Sequence, residues 1–292
     1  MSYIGRFAPS PSGDLHFGSL ITALASYLQA KSKAGLWLVR IEDIDPPREV
    51  AGAASRILRT LEQFGLYWDK TVLYQSQCYH RYAQILSQLL QEKQAYYCDC
   101  NRQRIHTLNH IYDNHCANRA LSPQQTEQKL AIRLRLSSPI TQFVDNIRGL
   151  QHIDDVVARE DFILRRRDGL FAYNLAVVLD DNYQGVTEIV RGADLLTATS
   201  WQQALYHQLG WHIPSYLHLP LALNPDGSKL SKQNRATPIA NTHTRQTTIA
   251  GLKFLNQPIP KDWQDSSQAQ LLDWAITHWD VNLVPTQDII RQ

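Results

Sequence analysis

The sequence predicts an α/β fold: a Rossmann-type parallel sheet in two pieces of sequence, split by a metal-bearing insert, with a short helical C-terminal region. Three observations carry this expectation. Strand-like and helix-like patterns alternate from residue 3 to about residue 94, the rhythm of parallel strands joined by crossover helices. Period-two segments of partly antiparallel character then interrupt that rhythm. Three of the four cysteines, Cys98, Cys100 and Cys116, crowd into the interrupted stretch.

The first strand is read at 3–8 (YIGRFA), and Gly13 breaks the chain after it. A helix follows, with Leu20, Leu24, Tyr27 and Leu28 on one face and Gly35 suited to the position past its end. LWLVRI at 36–41 reads as a buried strand. The next helix is expected from about Arg48, with an apolar stripe of Val50, Ile57, Leu58, Leu61 and Phe64, and Gly65 ends it. Another helix spans roughly 76–94, with Ser76 as its N-cap. Beyond the cysteines, Ile132, Leu134 and Leu136 alternate with Arg133 and Arg135, and short strand-like pieces follow near 142–145 and 150–153. Strand patterns resume at 162–166 and 170–179 across an Asp168-Gly169 turn, with a further strand at 186–190. Thr199 and Gln202 have capping-box spacing for a helix running to Gly210. LHLPLAL at 217–223 is strand-like and leads into an Asp226-Gly227 turn. From about 236 the chain looks helical, and Trp263, Trp274 and Trp279 fall in that stretch. The domains expected are therefore 1–80 and 161–235 for the two halves of the sheet domain, 81–160 for the insert and 236–292 for the helical end.

Composition narrows the class. The chain of 292 residues is 43% hydrophobic and 19% charged, which supplies a sizeable core and excludes a disordered chain. No run of about 18 apolar residues exists, so no membrane span is expected. The opening MSYIGRFAPSPSG has no basic n-region and no apolar h-region, so a cytoplasmic protein without a secretory leader is expected. Basic residues outnumber acidic ones by only 29 to 27, so any nucleic-acid partner must meet a local basic face. Arg102 with Arg104, and the run Arg165-Arg166-Arg167, are the local groups able to touch phosphates, or else to form an ordinary solvated face. No heptads suggest association, and a monomer is expected. Four cysteines in a chain this long do not form a disulfide scaffold. Cys98, Cys100 and Cys116 suit a structural zinc site that needs a fourth ligand, for which His106, His110 and His115 are chemically apt. Cys78 stands apart as an ordinary buried thiol.

Two motifs carry chemistry. RFAPSPSGDLHFGS at 6–19 joins the first strand to the first helix, where doubly wound sheets bind ligands against helix N-termini. Gly13 and Gly18 allow close backbone approach, and His16 stands just ahead of the helix to meet a phosphate. Far away, Lys229-Leu230-Ser231-Lys232-Gln233 follows a strand and a turn, and its two lysines can grip phosphate oxygens. Singly these are a Pro/Gly loop and a solvated lysine pair; together they form a nucleotide-activating arrangement.

The pair resembles the HIGH and KMSKS signatures of class I aminoacyl-tRNA synthetases. The flanking blocks narrow the resemblance to glutamyl-tRNA synthetases: RFAPSPSGDLHFGSL, RIEDIDPPRE at 40–49, ILRTLEQFGLYWD at 57–69, DFILRRRDGLFAYNLAVVLDD and GVTEIVRGADLL. It covers roughly 1–235. Two departures stand at loop-shaping positions: Ser19 replaces the second histidine of the first signature, and Gln233 stands where serine is usual in the second. A full bacterial glutamyl-tRNA synthetase continues into a helical anticodon-binding region, and this chain stops about where that region would begin. In this it resembles the truncated branch of the family, which places glutamate on the queuosine base of tRNA(Asp) instead of on a tRNA 3′ end.

The resemblance implies a set of roles. ATP would be bound by His16, Gly18 and Lys232, magnesium would arrive with the ATP, and His16, Lys229 and Lys232 would be the catalytic groups. L-Glutamate would be met by the strand-end residues Arg6, Phe7, Ala8, Pro9 and Ser10. Arg6 and Arg191 would contact its carboxylates, Glu42 its ammonium, and Tyr173 would complete the pocket. By residue type alone the arginines can be surface groups, Glu42 a helix cap and Tyr173 core. The family pattern makes Tyr112 the fourth zinc ligand, with His115 the alternative, and gives one structural zinc per chain. The expected partners are ATP, L-glutamate and queuosine-containing tRNA(Asp), with no membrane. The alternatives are ordinary glutamyl-tRNA aminoacylation, glutamate transfer to another acceptor, or a non-catalytic RNA-binding paralogue. Arg6, Glu42, Tyr173, Arg191 and Lys232 occurring together favour the enzyme.

Overall fold

The computed structural model describes residues 2–125, 129–224, 239 and 243–290. Strand β1 (Ile4–Phe7) pairs in parallel with β2 (Leu36–Ile41), Ile4 opposite Leu36 and Phe7 opposite Val39. The crossover between them is α1 (Phe17–Ser32), which buries residues on every side, as a helix enclosed by other elements must. Its Leu20, Leu24 and Leu28 face one core and its Phe17, Ile21 and Ala25 another. The helix closes by Ala34 N–H to Lys31 O (3.0 Å) and Gly35 N–H to Ala30 O (2.9 Å), so the left-handed residue is Ala34 (φ 49°) rather than the glycine expected there. Gly35 is required for another reason: a Cβ on it would stand 2.6 Å from the Tyr3 carbonyl oxygen.

Helix α2 (Ala53–Gln63) begins later than the sequence suggests. Pro46–Arg48 form a 3₁₀ turn and Gly52 sits at φ 72°, so Val50 is 46% exposed and outside the apolar stripe that Ile57, Leu61 and Phe64 do form. Strand β3 (Leu73–Tyr74) extends the parallel sheet beside β2. Helix α3 (Tyr79–Gln91) follows a 3₁₀ turn at Gln75–Cys78. Ser76 is therefore no N-cap; its N–H and hydroxyl donate to the Asp43 carboxylate at 2.9 and 2.6 Å.

The interrupting segment contains β4 (Ala95–Cys98), the short α4 (Arg102–Thr107) and β5 (Ala131–Leu134). A hairpin of β6 (Gln142–Asp145) and β7 (Gly149–His152), then α5 (Asp155–Ala158) and β8 (Ile163–Arg165), complete it. Strands β4, β5 and β8 form an antiparallel sheet.

Residues expected as a strand at 170–179 are instead the start of α6 (Tyr173–Gln184). Leu175 through Leu179 are all buried, and such a continuous apolar run has no period that separates a buried strand from a buried helix. Strand β9 (Glu188–Gly192), α7 (Leu196–Gln208) and β10 (Ser215–Leu219) form the second parallel unit. Thr199 lies inside α7 rather than at its N-cap. Thr187 joins the two units, donating its N–H to Ile4 O (2.9 Å) and accepting Ile4 N–H on Oγ1 (3.0 Å). The parallel strands thus run β3–β2–β1–β9–β10 across the molecule. Strand β11 (Ala222–Leu223), α8 (Thr244–Phe254) and α9 (Gln268–Thr277) follow, and the last described residues return as β12 (Ile289–Ile290) beside β11. Helices α8 and α9 contribute Leu252, Leu271 and Leu272 to the core around Trp37, and the Trp279 indole donates to Gln29 Oε1 on α1 at 2.7 Å. The Asp226-Gly227 turn lies outside the described residues.

Candidate active site

The C-terminal ends of β1, β2 and β9 converge, as binding sites of open parallel sheets do. The loop after β1 is laced to its neighbours: Pro9 O accepts Glu42 N–H (3.0 Å) and Pro11 O accepts Val50 N–H (2.9 Å). Of the residues expected to meet glutamate here, Pro9 is buried, Ala8 half-buried and Ser10 exposed toward the large cavity described below. Phe7 lies in the core, stacked on Trp37 with ring centroids 6.4 Å apart.

A charge network lies beneath that loop. Arg6 donates from Nε and Nη2 to the two oxygens of Asp181 (3.0 and 3.3 Å), and Arg40 Nη1 reaches the same carboxylate at 2.7 Å. Arg40 also holds Gln184 Oε1 (2.8 Å) and Glu42 (3.5 Å). Burial opposes the Asp181 charge, but the two arginines prevail and keep its carboxyl below the usual carboxylate range. Glu42 responds oppositely. Burial pushes it up to about 7; Arg40 and Arg6 pull down only partly, and Asp181 and Asp180 push further up. Asp181 takes one hydrogen from Nε and one from Nη2 of Arg6, leaving the hydrogens of Nη1 and the second on Nη2 for a ligand.

Arg191, at the end of β9, is buried and sits in a different environment. Its Nε donates to His218 Nε2 (3.1 Å), Nη1 to Gln202 Oε1 (2.8 Å) and Nη2 to Thr199 Oγ1 (2.7 Å). Longer contacts run from Nη1 to the Tyr173 hydroxyl (3.5 Å) and from Nη2 to Leu195 O (3.4 Å). Every one of these acceptors is neutral. Among the described residues Arg191 has no carboxylate partner, whereas the equally buried Arg6 and Arg40 share one. A buried guanidinium without a counter-ion is costly and fits an anionic ligand.

Tyr173 links Arg191 to a cavity of about 1390 Å³ lined by Ser10, Glu42, Tyr173 and Asn174 and also by Cys100, His106 and His110. Arg48, Arg102, Arg166 and Arg167 lie along it, with Asp45, Glu49, Glu160 and Asp168 interspersed. Arg165 and Arg104 are engaged elsewhere, Arg165 with Gly169 O and Arg104 with Asp113. A smaller cavity of about 170 Å³ brings His16 and Gly18 together with Gly192 and Asp194. His16 is the N-cap of α1, its Nδ1 accepting Ser19 N–H at 3.3 Å. Lys229 and Lys232 lie outside the described residues.

The insert gathers the three cysteines. Their sulfurs lie within 4.8 Å of one another, unlinked by disulfides, with Cys100 and Cys116 sulfurs 3.5 Å apart. Corners of a zinc tetrahedron with sulfur ligands stand about 3.8 Å apart, so three thiols at this spacing fit the ion. The Tyr112 hydroxyl is 3.7 Å from Cys98 Sγ and accepts Cys116 N–H at 2.7 Å. No histidine among the described residues joins the group, and His115 is exposed.

Sequence reasoning missed Arg40, Asp181, Gln202, Thr199, His218 and Asp145. A signal existed for three of them: a charged or polar residue within an otherwise apolar segment, as with Arg40 in LWLVRI, Asp181 after LAVVLD and His218 in LHLPLAL.

Residues 4–273 match the family described as tRNA synthetases class I (E and Q), catalytic domain, and the chain belongs to that family. Within it the chain falls with the glutamyl-Q tRNA(Asp) synthetases. It is 57% identical to the Glutamyl-Q tRNA(Asp) synthetase of Pectobacterium atrosepticum over 99% of this chain and 88% of that one. For those of Serratia proteamaculans and Escherichia coli K12 the identities are 58% and 56%, over 99% of this chain and 94% and 92% of theirs. Among solved structures, the glutamate-tRNA synthetase of Elizabethkingia anophelis superposes with a TM-score of 0.82 at 24% identity, over 100% of this chain and 68% of that one, which establishes the shared fold.

Proposed function

We propose that this protein activates L-glutamate with ATP as glutamyl-adenylate and transfers the glutamate to the queuosine base of tRNA(Asp). One observation carries the reading of the site: a buried arginine, Arg191, cradled among the described residues only by neutral acceptors and opening through Tyr173 toward a cavity lined by Glu42. The names of the relatives support the acceptor.

Glutamate's side-chain carboxylate pairs with Arg191, and Glu42, when ionised, takes the ammonium. The α-carboxylate is then left to attack the α-phosphorus of ATP, and pyrophosphate leaves. A hydroxyl of the acceptor base next attacks the acyl carbon, and AMP leaves. The protein contributes orientation and charge, not a covalent nucleophile. His16 and Gly18 at the N-terminus of α1 receive the phosphates, and Lys229 and Lys232 complete that grip. Magnesium supplies charge neutralisation with the nucleotide. The basic residues along the large cavity meet the RNA backbone. Cys98, Cys100, Cys116 and Tyr112 hold a structural zinc that fixes the insert, a role supported by the sulfur spacing. No helix among the described residues is long and apolar enough to cross a membrane.

The test is transfer of labelled glutamate to two tRNA pools, one containing queuosine and one lacking it. Label confined to tRNA(Asp) of the first pool is expected. Equal labelling of both pools would return the protein to ordinary aminoacylation.

A further inference from the structure

Arg191 can receive a carboxylate only if its fork is held still and its hydrogens point the right way. Its Nε–H donates to His218 Nε2 at 3.1 Å, so that nitrogen must present a lone pair. The other ring nitrogen, Nδ1, lies 2.7 Å from Asp145 Oδ2. The same Asp145 carboxylate accepts the backbone N–H groups of Ile147 (3.0 Å), Arg148 (2.8 Å) and His218 (3.0 Å), so it acts as an acceptor throughout and Nδ1 carries the proton. His218 and Asp145 are both fully buried. The tautomer is thereby fixed: Nδ1–H toward Asp145, bare Nε2 toward Arg191. A doubly protonated ring would set N–H against N–H at 3.1 Å and place two cations side by side.

We propose that Asp145 and His218 are positioning residues for the amino-acid site, a carboxylate–imidazole pair that orients the Arg191 guanidinium for the substrate carboxylate and ties that site to the β6–β7 hairpin. This rests on the reading that Arg191 receives glutamate. Three of its donor contacts, to His218, Gln202 and Thr199, are 2.7–3.1 Å and fix the plane of the guanidinium. One hydrogen on each Nη is left with a contact of 3.4–3.5 Å only, and a bidentate carboxylate replaces both. The pair works at one remove from the substrate, as the partner of a histidine ligand sets ring orientation in metal sites. Asp145 is the last residue of β6, and in the turn that follows it Arg148 donates to His218 O (3.2 Å) and Asp288 (2.5 Å), so the orientation of Arg191 depends on the seating of the hairpin.

The experiment compares two single variants of the full chain in glutamate-dependent ATP–pyrophosphate exchange, with thermal midpoints measured alongside. His218→Asn keeps a donor for Asp145 and withdraws the acceptor from Arg191. His218→Gln places an amide oxygen near the position of Nε2. The expected result is a glutamate KM raised about tenfold or more in H218N, with the ATP KM within about twofold of wild type, and substantial recovery of the glutamate KM in H218Q. Equal losses in both variants that track a fall in thermal midpoint would overturn the proposal in favour of simple packing. Arg191→Ala is run in parallel. A large rise of glutamate KM in R191A with none in H218N refutes the positioning role alone. An unchanged glutamate KM in R191A refutes the underlying reading of the site, and the proposal with it.

Discussion

Replacing Glu42 by glutamine removes a carboxylate whose ionisation the fold opposes. Burial is the main cause; Arg40 and Arg6 offset it only in part, and Asp181 and Asp180 add to it. The group moves from an ordinary 4.5 to about 7. Below pH 4.5 both the folded and unfolded chains hold the proton, and the substitution changes nothing on this account. Between 4.5 and about 7 the unfolded chain ionises while the folded chain does not, so wild-type stability falls as pH rises. Above about 7 the loss is complete and amounts to about 3 kcal/mol. Arg40 is not orphaned by the change, because Asp181 still holds it at 2.7 Å. Glu42→Gln is therefore expected to be more thermostable than wild type at pH 8, by about 5 °C for a chain of this length, and about equal to it near pH 4.5. In the exchange assay the same variant loses its partner for the substrate ammonium, and its glutamate KM rises steeply. Wild type is expected to show the functional side of the same titration, with glutamate KM increasing as pH falls below about 7. Thermal denaturation at the two pH values, with exchange kinetics at pH 8, decides the matter. A variant no more stable than wild type at pH 8, or one that binds glutamate normally, would refute the reasoning.

Other perturbations have definite outcomes. Arg6→Ala leaves the buried Asp181 with Arg40 as its one remaining guanidinium, and denaturant unfolding should show a loss of about 2–4 kcal/mol. Cys100→Ser should reduce zinc measured by elemental analysis from about one per chain to well below that. Chelation of the wild type should expose the insert to proteolysis, whereas full resistance after metal removal would argue against a structural site. Gly35→Ala drives a methyl group to 2.6 Å from Tyr3 O, and a drop in unfolding free energy of about 1–3 kcal/mol is expected even though the φ of Gly35 lies outside the left-handed region.

Much of the sheet was legible because its strands announce themselves. LWLVRI has no helical alternative at that length between Gly35 and the prolines, and VTEIV follows Gly185, which does end a helix at φ 68°. The misreadings share a cause. The run Leu175–Leu179 is buried on all sides, so it carries no periodicity, and the strand expected there is a helix. Ser76 and Thr199 have the side chains of helix caps, but each meets a charged partner instead, Asp43 for Ser76 and Arg191 for Thr199, which no local capping pattern indicates. In the site, residue type and family pattern brought out Arg191, Glu42 and Tyr173. They did not reveal that Asp181 neutralises Arg6 while nothing comparable among the described residues reaches Arg191, because that distinction is made by α6 bringing Asp181 to β1 and β2. The cysteine cluster was legible from spacing alone, since Cys98 and Cys100 straddle a strand end and Cys116 returns beside them.

Arg6 and Arg40 meet Asp181 across 175 and 141 residues of intervening chain. A chain emerging from the ribosome at roughly 5–20 residues per second exposes both arginines on the order of 10 s before their shared counter-ion exists. Until then the first two strands carry only Glu42, 3.5 Å from Arg40 in the finished fold, against two buried guanidinium groups. The carboxylate that Arg6 and Arg40 share arrives only with α6, so the charge network beneath the loop after β1 cannot be completed until more than half of the chain has been made.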